Sequence, residues 1–283
     1  MKEKLRDYAL LMRLDRPIGI YLLLWPTLWA LWFAAGGIPP LKILLVFVIG
    51  TVLMRSAGCA INDFADKDFD PHVARTRERP VAAGRVSPGE ALRLFVAVSL
   101  MAFGLLTTLH NVQAILLAIP AAVLAACYPF MKRWISIPQA VLGLAFSWGI
   151  PMAYAATQHQ VPWTEVVLLM AANVMWVVAY DTFYAMADRA DDLKIGVKSS
   201  AILFGEYDRL VTAVLQIGAL ACLAIVGVDH GPFYFVGLMV AAACAGYQQW
   251  LIRHREPAQC IRAFLHNTWF GAAVFAGLAA STF

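Results

Sequence analysis

The sequence has few charged residues for its length. Asp, Glu, Lys and Arg account for 14% of the 283 residues, whereas 61% are hydrophobic. A soluble domain usually has about 25% charged residues. The composition therefore excludes an ordinary soluble enzyme. It indicates a polytopic membrane protein whose surroundings are the lipid bilayer, with no feature that points to a nucleic acid or to a protein partner.

Apolar stretches of about 20 residues, the length that crosses a bilayer as a helix, recur along the whole chain. No Ser-, Gly- or Pro-rich linker separates two halves, so we predict one all-α integral-membrane domain over residues 1–283. The nine predicted transmembrane helices are 17–36, 41–61, 91–109, 112–130, 137–156, 163–184, 208–228, 232–250 and 264–282.

The ligand spacings of a soft-metal site are also missing. The five cysteines are isolated and form no CxxC pair, and no His lies at metal-binding spacing from another ligand. This pattern argues against a disulfide framework and against a zinc or iron centre.

Positive charge is nearly absent from alternate loops. Of the 22 Lys and Arg residues, 20 fall on one side of the predicted bundle, and the exceptions are Lys42 and the intramembrane Arg55. Basic loops stay in the cytoplasm. We therefore predict a multi-pass protein of a bacterial inner membrane, with a cytoplasmic N-terminus, a periplasmic C-terminus and a functional site that faces the cytoplasm.

The first 36 residues allow one alternative, a cleaved signal peptide. The apolar run after the charged leader is longer than the usual hydrophobic region of such peptides, which favours a retained helix. Within the leader, Leu5, Tyr8, Leu11 and Met12 have helical spacing. We expect that segment to form a helix on the membrane surface.

Acidic residues, scarce elsewhere, are concentrated in two clusters. The first cluster is the stretch 62–70, NDFADKDFD, and the second is the stretch 188–192, DRADD, with Asp181 seven residues upstream. Packed carboxylates repel one another unless a cation neutralises them, and ionisable groups at membrane depth mark functional sites. The clusters therefore predict a divalent cation site at a membrane surface.

The spacing within each cluster favours Mg²⁺. Asp66 and Asp70 are four residues apart, as are Asp188 and Asp192, so each pair shares a face if the local structure is helical. Mg²⁺ is usually bound by a few carboxylates together with substrate phosphates. The alternative is an ordinary pair of solvated charged loops. The predicted ligands are Asn62, Asp63, Asp66, Asp70, Asp188 and Asp192.

Basic residues accompany both clusters in the two longest loops on that side, about 62–90 and 187–207. Long loops in a compact protein tend to be functional, and guanidinium and ammonium groups bind phosphate oxygens. The predicted phosphate-binding residues are Lys132, Arg133, Lys194 and Lys198, together with Arg75, Arg77 and Arg79.

The first cluster resembles the NDxxDxxxD motif of the UbiA-type intramembrane prenyltransferases, and Asp188-x-x-x-Asp192 resembles their second DxxxD motif. Three further stretches are similar to the 4-hydroxybenzoate polyprenyltransferase branch of that family. They are RLDRPIG at 13–19, YPFMKR at 128–133 and YDTFYAMADRADDxKIGxKS at 180–199. The resemblance covers about residues 13–205, and neither acidic motif departs from the family pattern.

This resemblance implies the transfer of a polyprenyl group from polyprenyl diphosphate to the ring of 4-hydroxybenzoate, ortho to the hydroxyl, in ubiquinone biosynthesis. Catalysis would then depend on Asp66, Asp70 and Asp188. Together with Mg²⁺, these residues would assist the breaking of the allylic C–O bond of the diphosphate, which leaves an allylic carbocation as intermediate. Tyr128 and Tyr184, like Tyr180, are candidates for cation–π stabilisation of that carbocation, or are packed aromatic residues.

Two charged residues lie two helical turns deeper than the clusters. Arg55, seven residues before Asn62, is expected to bind the carboxylate of the aromatic acceptor, and the resemblance places such an arginine here. Its alternative role is an internal salt bridge. Asp181 is expected to orient or deprotonate the acceptor phenol, or else to pair with Arg55.

Three competing interpretations remain open at the level of the sequence. A related prenyltransferase would act on haem, a naphthoquinone precursor or a chlorophyllide. A cation-coupled secondary transporter would use the acids as ion sites, but such sites lie near the midplane, whereas these acids lie at one face beside basic loops. A non-enzymatic membrane scaffold would leave the clustered acids without a role.

Overall fold

The computed structural model describes residues 2–73 and 75–282, and within these ranges it contains helices and no strand. Short 3₁₀ turns join several of the helices. The α-helices are α1 Lys2–Leu11, α2 Ile18–Ala35, α3 Leu41–Ala65, α4 Pro88–Thr107, α5 Val112–Cys127, α6 Pro138–Ser147, α7 Gly149–Gln158, α8 Trp163–Ile195, α9 Ser200–Phe204, α10 Asp208–Val226, α11 Pro232–Leu251 and α12 Pro257–Ala280.

Nine helical segments in these described ranges are long and apolar enough to cross a membrane, which confirms the predicted all-α bundle of nine spans. Several bounds differ from the prediction, and two of the extensions lie beside the acidic clusters. The second span continues to Ala65, beyond the predicted end at 61, and the sixth span continues to Ile195, beyond 184. Both extensions are polar helix, which hydropathy alone does not reveal. The acidic clusters lie at and just beyond these extended ends, and we call this end of the bundle the acidic end.

The length of α8 explains how its acids leave the apolar layer. At 1.5 Å per residue its 33 residues measure about 50 Å, compared with a hydrocarbon core of about 30 Å. The excess length projects the helix past the apolar layer and keeps Asp188 and Asp192 on a continuous helical face.

The fifth span is broken into α6 and α7, although the sequence predicted one helix over 137–156. Pro151 has no N–H to donate to the carbonyl of Ser147, which is four residues earlier, so the regular helical bonding is interrupted there. The hydroxyl of Ser147 donates instead to the Gly143 carbonyl at 2.7 Å and accepts from the Asn173 amide at 2.9 Å. These bonds tie the break to α8.

An aromatic cluster in the core fixes the rotation of α8. The ring of Trp176 lies 5.3 Å from that of Trp29 on α2 and 5.3 Å from that of Phe270 on α12. The Trp176 indole N–H donates to the Asn267 side chain at 2.9 Å, which satisfies a polar group in an apolar layer. Because α2 contributes to this core, it is an integral part of the bundle.

The predicted leader helix is present as α1 and is fastened to the start of α4. Lys4 pairs with Glu90 at 2.9 Å, and the Tyr8 hydroxyl donates to the same carboxylate at 2.9 Å. Leu11 is fully buried in a small cluster with Val81 and Val86. The helix therefore packs on the segment that follows the first acidic cluster.

The helices α11 and α12 approach closely at two glycines. A Cβ atom added to Gly237 would lie 2.6 Å from the Ala273 carbonyl oxygen and 2.7 Å from the Gly277 Cα. Small residues permit such close packing of membrane helices. The contacted atoms belong to the backbone, so only a separation of the helices would make room for a side chain.

We expect Gly237→Val to lower the free energy of unfolding by about 1–3 kcal/mol, because the added volume separates α11 from α12. Thermal unfolding in detergent measures the change. Gly246→Val is the matched control on the same helix, since a Cβ there meets nothing within 4 Å. Equal destabilisation by both substitutions would contradict the close-packing argument.

Candidate active site

The first acidic cluster begins on the last turn of α3. Asn62 and Asp63 are helical, and Asp66 is the residue that caps the helix at its C-terminal end. Beyond the cap, the Asp66 amide donates to the Asn62 carbonyl at 2.9 Å and the Asp70 amide donates to the Asp66 carbonyl at 2.8 Å. These helix-like bonds keep Asn62, Asp66 and Asp70 on one side of the chain, although the regular helix ends at Ala65.

The carboxylates of this cluster are buried and are compensated by cations. Asp63, Asp66 and Asp70 are only 1%, 3% and 5% exposed. Arg79 lies among all three, with its Nη1 at 2.9 Å from Asp70, 3.6 Å from Asp63 and 4.0 Å from Asp66. Lys132 approaches Asp66 to 2.5 Å. A buried charge without such partners would be strongly destabilising.

Burial raises the pKa of Asp66, although Lys132 opposes the shift. Burial alone would lower the pKa of the Arg79 guanidinium, but Asp70 and Asp63 stabilise its charge and raise the pKa above its usual value. Burial therefore disfavours the charged form of Asp66, whereas the neighbouring carboxylates favour the charged form of Arg79. A further cation at these carboxylates would have to take the place of a cation that is already paired with them.

The second cluster lies on the projecting end of α8, and a residue of the loop after the first cluster binds it. Arg75 contacts Asp188 through two parallel bonds, Nε–Oδ1 at 3.0 Å and Nη2–Oδ2 at 2.5 Å. Its guanidinium also lies over the Tyr184 ring at 4.2 Å. This bidentate pair links the loop between α3 and α4 to α8 and draws the two clusters together.

The end of α8 is held in place by a buried carboxylate that sequence analysis did not single out. Asp208, at the start of α10, is fully buried and accepts from Arg189 and from Arg255, the latter with an Nη2–Oδ1 distance of 2.9 Å. Arg189 directly follows Asp188 in the chain. The contact fixes α8 against α10 and the segment before α12, and it thereby positions the second cluster.

The donor chemistry of the two clusters fits a hard divalent cation. All the predicted ligands are oxygen donors, and Oδ2 of the buried Asp63 has no hydrogen-bond partner among the described residues. Over residues 2–73 and 75–282, however, no three acidic, His or Cys side chains converge into a ready-made metal group. The guanidinium of Arg79 lies between the carboxylates of the first cluster, and Arg75 is paired with Asp188 in the second.

Four of the basic residues predicted to bind phosphate, outside the loop between α3 and α4, have different surroundings. Lys132 lies at the first cluster, and Arg133 donates to the Ala65 carbonyl at 2.5 Å. Lys194 is 73% exposed and pairs with Asp191, while Lys198 donates to the Trp134 carbonyl. The structure therefore brings one of the four, Lys132, directly to a predicted metal ligand.

The contact of Arg13 with the first acidic cluster was not predicted from the sequence, although Arg13 belongs to the RLDRPIG stretch that carries part of the family resemblance. Arg13 pairs with Asp63 at 2.8 Å from the turn after α1, where its own φ is +57°. The sequence carries no spacing signal for this contact, because the two residues are fifty positions apart.

An apolar cavity of about 200 Å³ lies deeper in the bundle, among the helices α2 to α7. Arg55 is the charged residue among its described lining residues, and Tyr128 lies beside it. The Tyr128 hydroxyl donates to the Gly58 carbonyl at 3.3 Å. The cavity thus combines an apolar wall with a single cationic group.

Arg55 donates from Nη1 to the sulfur of Cys59 at 2.8 Å, and in the part of the chain that the structure describes its buried Nε has no hydrogen-bond partner. The described residues include no carboxylate within 4.0 Å of it, so neither the internal salt bridge nor the pairing with Asp181 is formed there. The guanidinium keeps hydrogen-bonding capacity for a ligand. Asp181 is partly buried on α8, two turns before Asp188.

The model of the UbiA prenyltransferase family matches residues 23–273. The chain belongs to the UbiA prenyltransferase family. Membership argues against the transporter and scaffold interpretations, which do not involve prenyl transfer.

Relatives within the UbiA family are similar over nearly their whole length. A 4-hydroxybenzoate octaprenyltransferase of Thiobacillus denitrificans is 59% identical over 280 residues, covering 98% of this chain and 95% of that protein. The enzyme of the same name from Nitrosococcus oceani is also 59% identical, covering 99% and 98%.

Solved structures confirm the UbiA fold. The apo structure of a UbiA homologue from Aeropyrum pernix K1 aligns with a TM-score of 0.81 at 25% identity, covering 94% of this chain and 98% of that chain. A homologue from Archaeoglobus fulgidus, solved with GPP and Mg²⁺, aligns with a TM-score of 0.69 at 18% identity, covering 96% and 99%.

We expect Arg75→Ala to loosen the loop between α3 and α4, because it removes the bidentate bond to Asp188. Hydrogen exchange of the amides in residues 66–87 should become several-fold faster. Arg77→Ala is the matched control, since Arg77 is exposed and its side chain pairs with the exposed Glu78 at 3.8 Å. Identical exchange in the two variants would show that the Arg75–Asp188 pair does not hold the loop.

Proposed function

We propose that this UbiA family member transfers a polyprenyl group from polyprenyl diphosphate to the ring of 4-hydroxybenzoate, a step of ubiquinone biosynthesis. The observation that carries the proposal is Arg55, a cation in an apolar cavity below two acidic clusters. The names of the relatives support the same acceptor. In the reaction, the allylic C–O bond to diphosphate breaks, a bond forms to the ring carbon ortho to the hydroxyl, and the proton of that carbon is lost.

The diphosphate is assigned to the acidic end. Mg²⁺, when bound, neutralises the charge that develops on the leaving diphosphate. The residues that would hold it are Asn62, Asp63, Asp66, Asp70, Asp188 and Asp192. The cations now paired with these carboxylates, Lys132, Arg79 and Arg75, are close enough to turn toward phosphate oxygens. They would thereby exchange one anionic partner for another.

The isoprenoid is assigned to the apolar cavity. Pockets for drug-sized ligands usually enclose about 300–1,000 Å³, so a cavity of about 200 Å³ holds only the first part of a long prenyl chain. The remainder must extend between helices into the lipid. Tyr128 lines the cavity and is placed to stabilise an allylic cation. Tyr184 is covered by Arg75, so it serves this role only when Arg75 moves.

The acceptor is assigned to the space between Arg55 and Asp181. The Arg55 guanidinium binds the carboxylate of 4-hydroxybenzoate in a charge-assisted bond. Asp181 orients the phenol or accepts its proton, which raises the electron density of the ring carbon that attacks. Both residues lie two turns deeper than the acidic clusters, so the ring is placed below the diphosphate.

Basic residues on one side of the bundle support an inner-membrane protein with a cytoplasmic N-terminus, a cytoplasmic active site and a periplasmic C-terminus. In this orientation, 4-hydroxybenzoate and Mg²⁺ reach the acidic end from the cytoplasm, while the prenyl chain arrives through the lipid.

We expect membranes that contain this chain to transfer octaprenyl from its diphosphate to 4-hydroxybenzoate when Mg²⁺ is present. EDTA should abolish the product, and Asp66→Ala or Asp188→Ala should reduce it at least about a hundredfold, because each removes a charge that holds the metal. Radiolabelled donor measures the transfer.

Asp68→Ala is the matched control for this assay, because Asp68 is exposed within the same cluster and should retain activity. Sealed inverted vesicles should lose activity when impermeant EDTA is added outside, whereas right-side-out vesicles should keep it. Good expression without product would reject the acceptor, and the opposite vesicle result would reject the orientation.

We expect Arg55→Ala to raise the KM for 4-hydroxybenzoate by about tenfold or more, the value of a lost charge-assisted hydrogen bond, with little change in the KM for the prenyl diphosphate. Asp181→Asn should instead lower kcat and leave both KM values nearly unchanged. Steady-state kinetics with each substrate varied in turn distinguishes them. Equal effects of Arg55→Ala on both KM values would remove Arg55 from acceptor binding.

A further inference from the structure

Gly19 is the last residue of the RLDRPIG stretch, whose first residue, Arg13, pairs with Asp63. It lies in the first turn of α2 and is buried. Its neighbour across the helix interface is the side chain of Arg55 on α3. This contact joins the start of the first span to the cationic group of the cavity.

The contact leaves no room for a side chain. A Cβ atom built on Gly19 would lie 2.2 Å from Nε, 2.4 Å from Nη2 and 2.6 Å from Cζ of Arg55. All three distances are far below a van der Waals contact. Because Nε and Nη2 are nearer than Cζ, Gly19 faces the edge of the guanidinium that these two nitrogens form.

The opposite side of the same guanidinium is held by α3 itself. Nη1 donates to the Cys59 sulfur at 2.8 Å, one helical turn after Arg55. The planar group is therefore held between the backbone of α2 and the thiol of Cys59. Two contacts on different helices define its orientation toward the cavity that it lines.

We propose that Gly19 is a positioning residue that determines acceptor specificity, because its missing Cβ lets the Arg55 guanidinium lie where it binds the carboxylate of the aromatic acid. The inference deepens the proposed function and rests on it. Gly19 touches no substrate and acts through Arg55. Cys59 supports the same orientation from the other side.

The chemistry of the contact predicts a local effect for Gly19→Ala. The clashing atoms are the end of a long side chain and not backbone, so the guanidinium moves aside while α2 and α3 keep their packing. Alanine also favours helix over glycine. The variant should therefore fold, but it should hold Arg55 in the wrong place.

We expect Gly19→Ala to raise the KM for 4-hydroxybenzoate about tenfold or more, while the KM for octaprenyl diphosphate stays within about twofold of wild type. Cys59→Ala should shift the KM for 4-hydroxybenzoate in the same direction by a smaller factor, since it removes one hydrogen bond and adds no volume. Gly246→Ala, in open space on α11, is the control and should match wild type.

A double-mutant cycle separates this role from a structural one. In an Arg55→Ala background the added methyl group has nothing to displace, so Gly19→Ala should raise the KM for 4-hydroxybenzoate no further. Should Gly19→Ala fail to accumulate in membranes, the double variant should accumulate normally, because its clashing group is absent. Membrane content is measured by immunoblot for each variant.

Four results would overturn the inference. They are an unchanged KM for 4-hydroxybenzoate in Gly19→Ala, an equal rise in both KM values, additive effects in the cycle, and a double variant that also fails to accumulate. Absence of 4-hydroxybenzoate prenylation in wild type and Gly246→Ala alike would instead reject the proposed function.

Discussion

Neutralisation of buried carboxylates is the constraint on which the acidic end depends. Asp63, Asp66 and Asp70 are nearly inaccessible, and a buried anion is tolerated only beside a cation. Arg79, Lys132 and Arg13 provide that compensation from three different segments of the chain. Because each cation comes from a different segment, the loop after α3, the turn after α5 and the turn after α1 all meet at the first acidic cluster.

The second cluster is subject to a similar constraint, met at longer range. Arg75 connects the loop after α3 to Asp188, while Arg189, the next residue along α8, is anchored to Asp208 on the adjacent helix. Asp188 thus binds the end of α8 to the N-terminal half of the bundle, and Arg189 binds it to the C-terminal half. The carboxylates that the proposed reaction needs lie at the junction of these two sets of ion pairs.

The sequence predicted the nine spans because hydropathy records where a helix must be apolar. It did not predict that α3 ends at Ala65 and α8 at Ile195, since the last residues of both helices lie beyond the apolar runs and hydropathy carries no signal for them. The break at Trp148 was also missed, because Pro151 is itself compatible with an apolar run. The acidic pattern identified the carboxylates, but it carried no information on which cations approach them. Arg13 and Asp208 are defined only by tertiary contacts, and the position of Lys194 on the exposed side of α8 depends on the rotation that Trp176 imposes.

A single physical problem explains why the charged groups lie at two depths. The diphosphate of a prenyl donor requires water and cations, whereas its hydrocarbon tail requires an apolar environment. In the proposed reaction, the acidic end would meet the first need with its charged groups, and the cavity below would meet the second. Arg55 is the exception, a cation placed two turns inside the apolar region, where an unpaired charge is costly. Its cost is tolerable only if the group is firmly held and has a ligand to bind, and Gly19 and Cys59 hold it at the edge of the cavity.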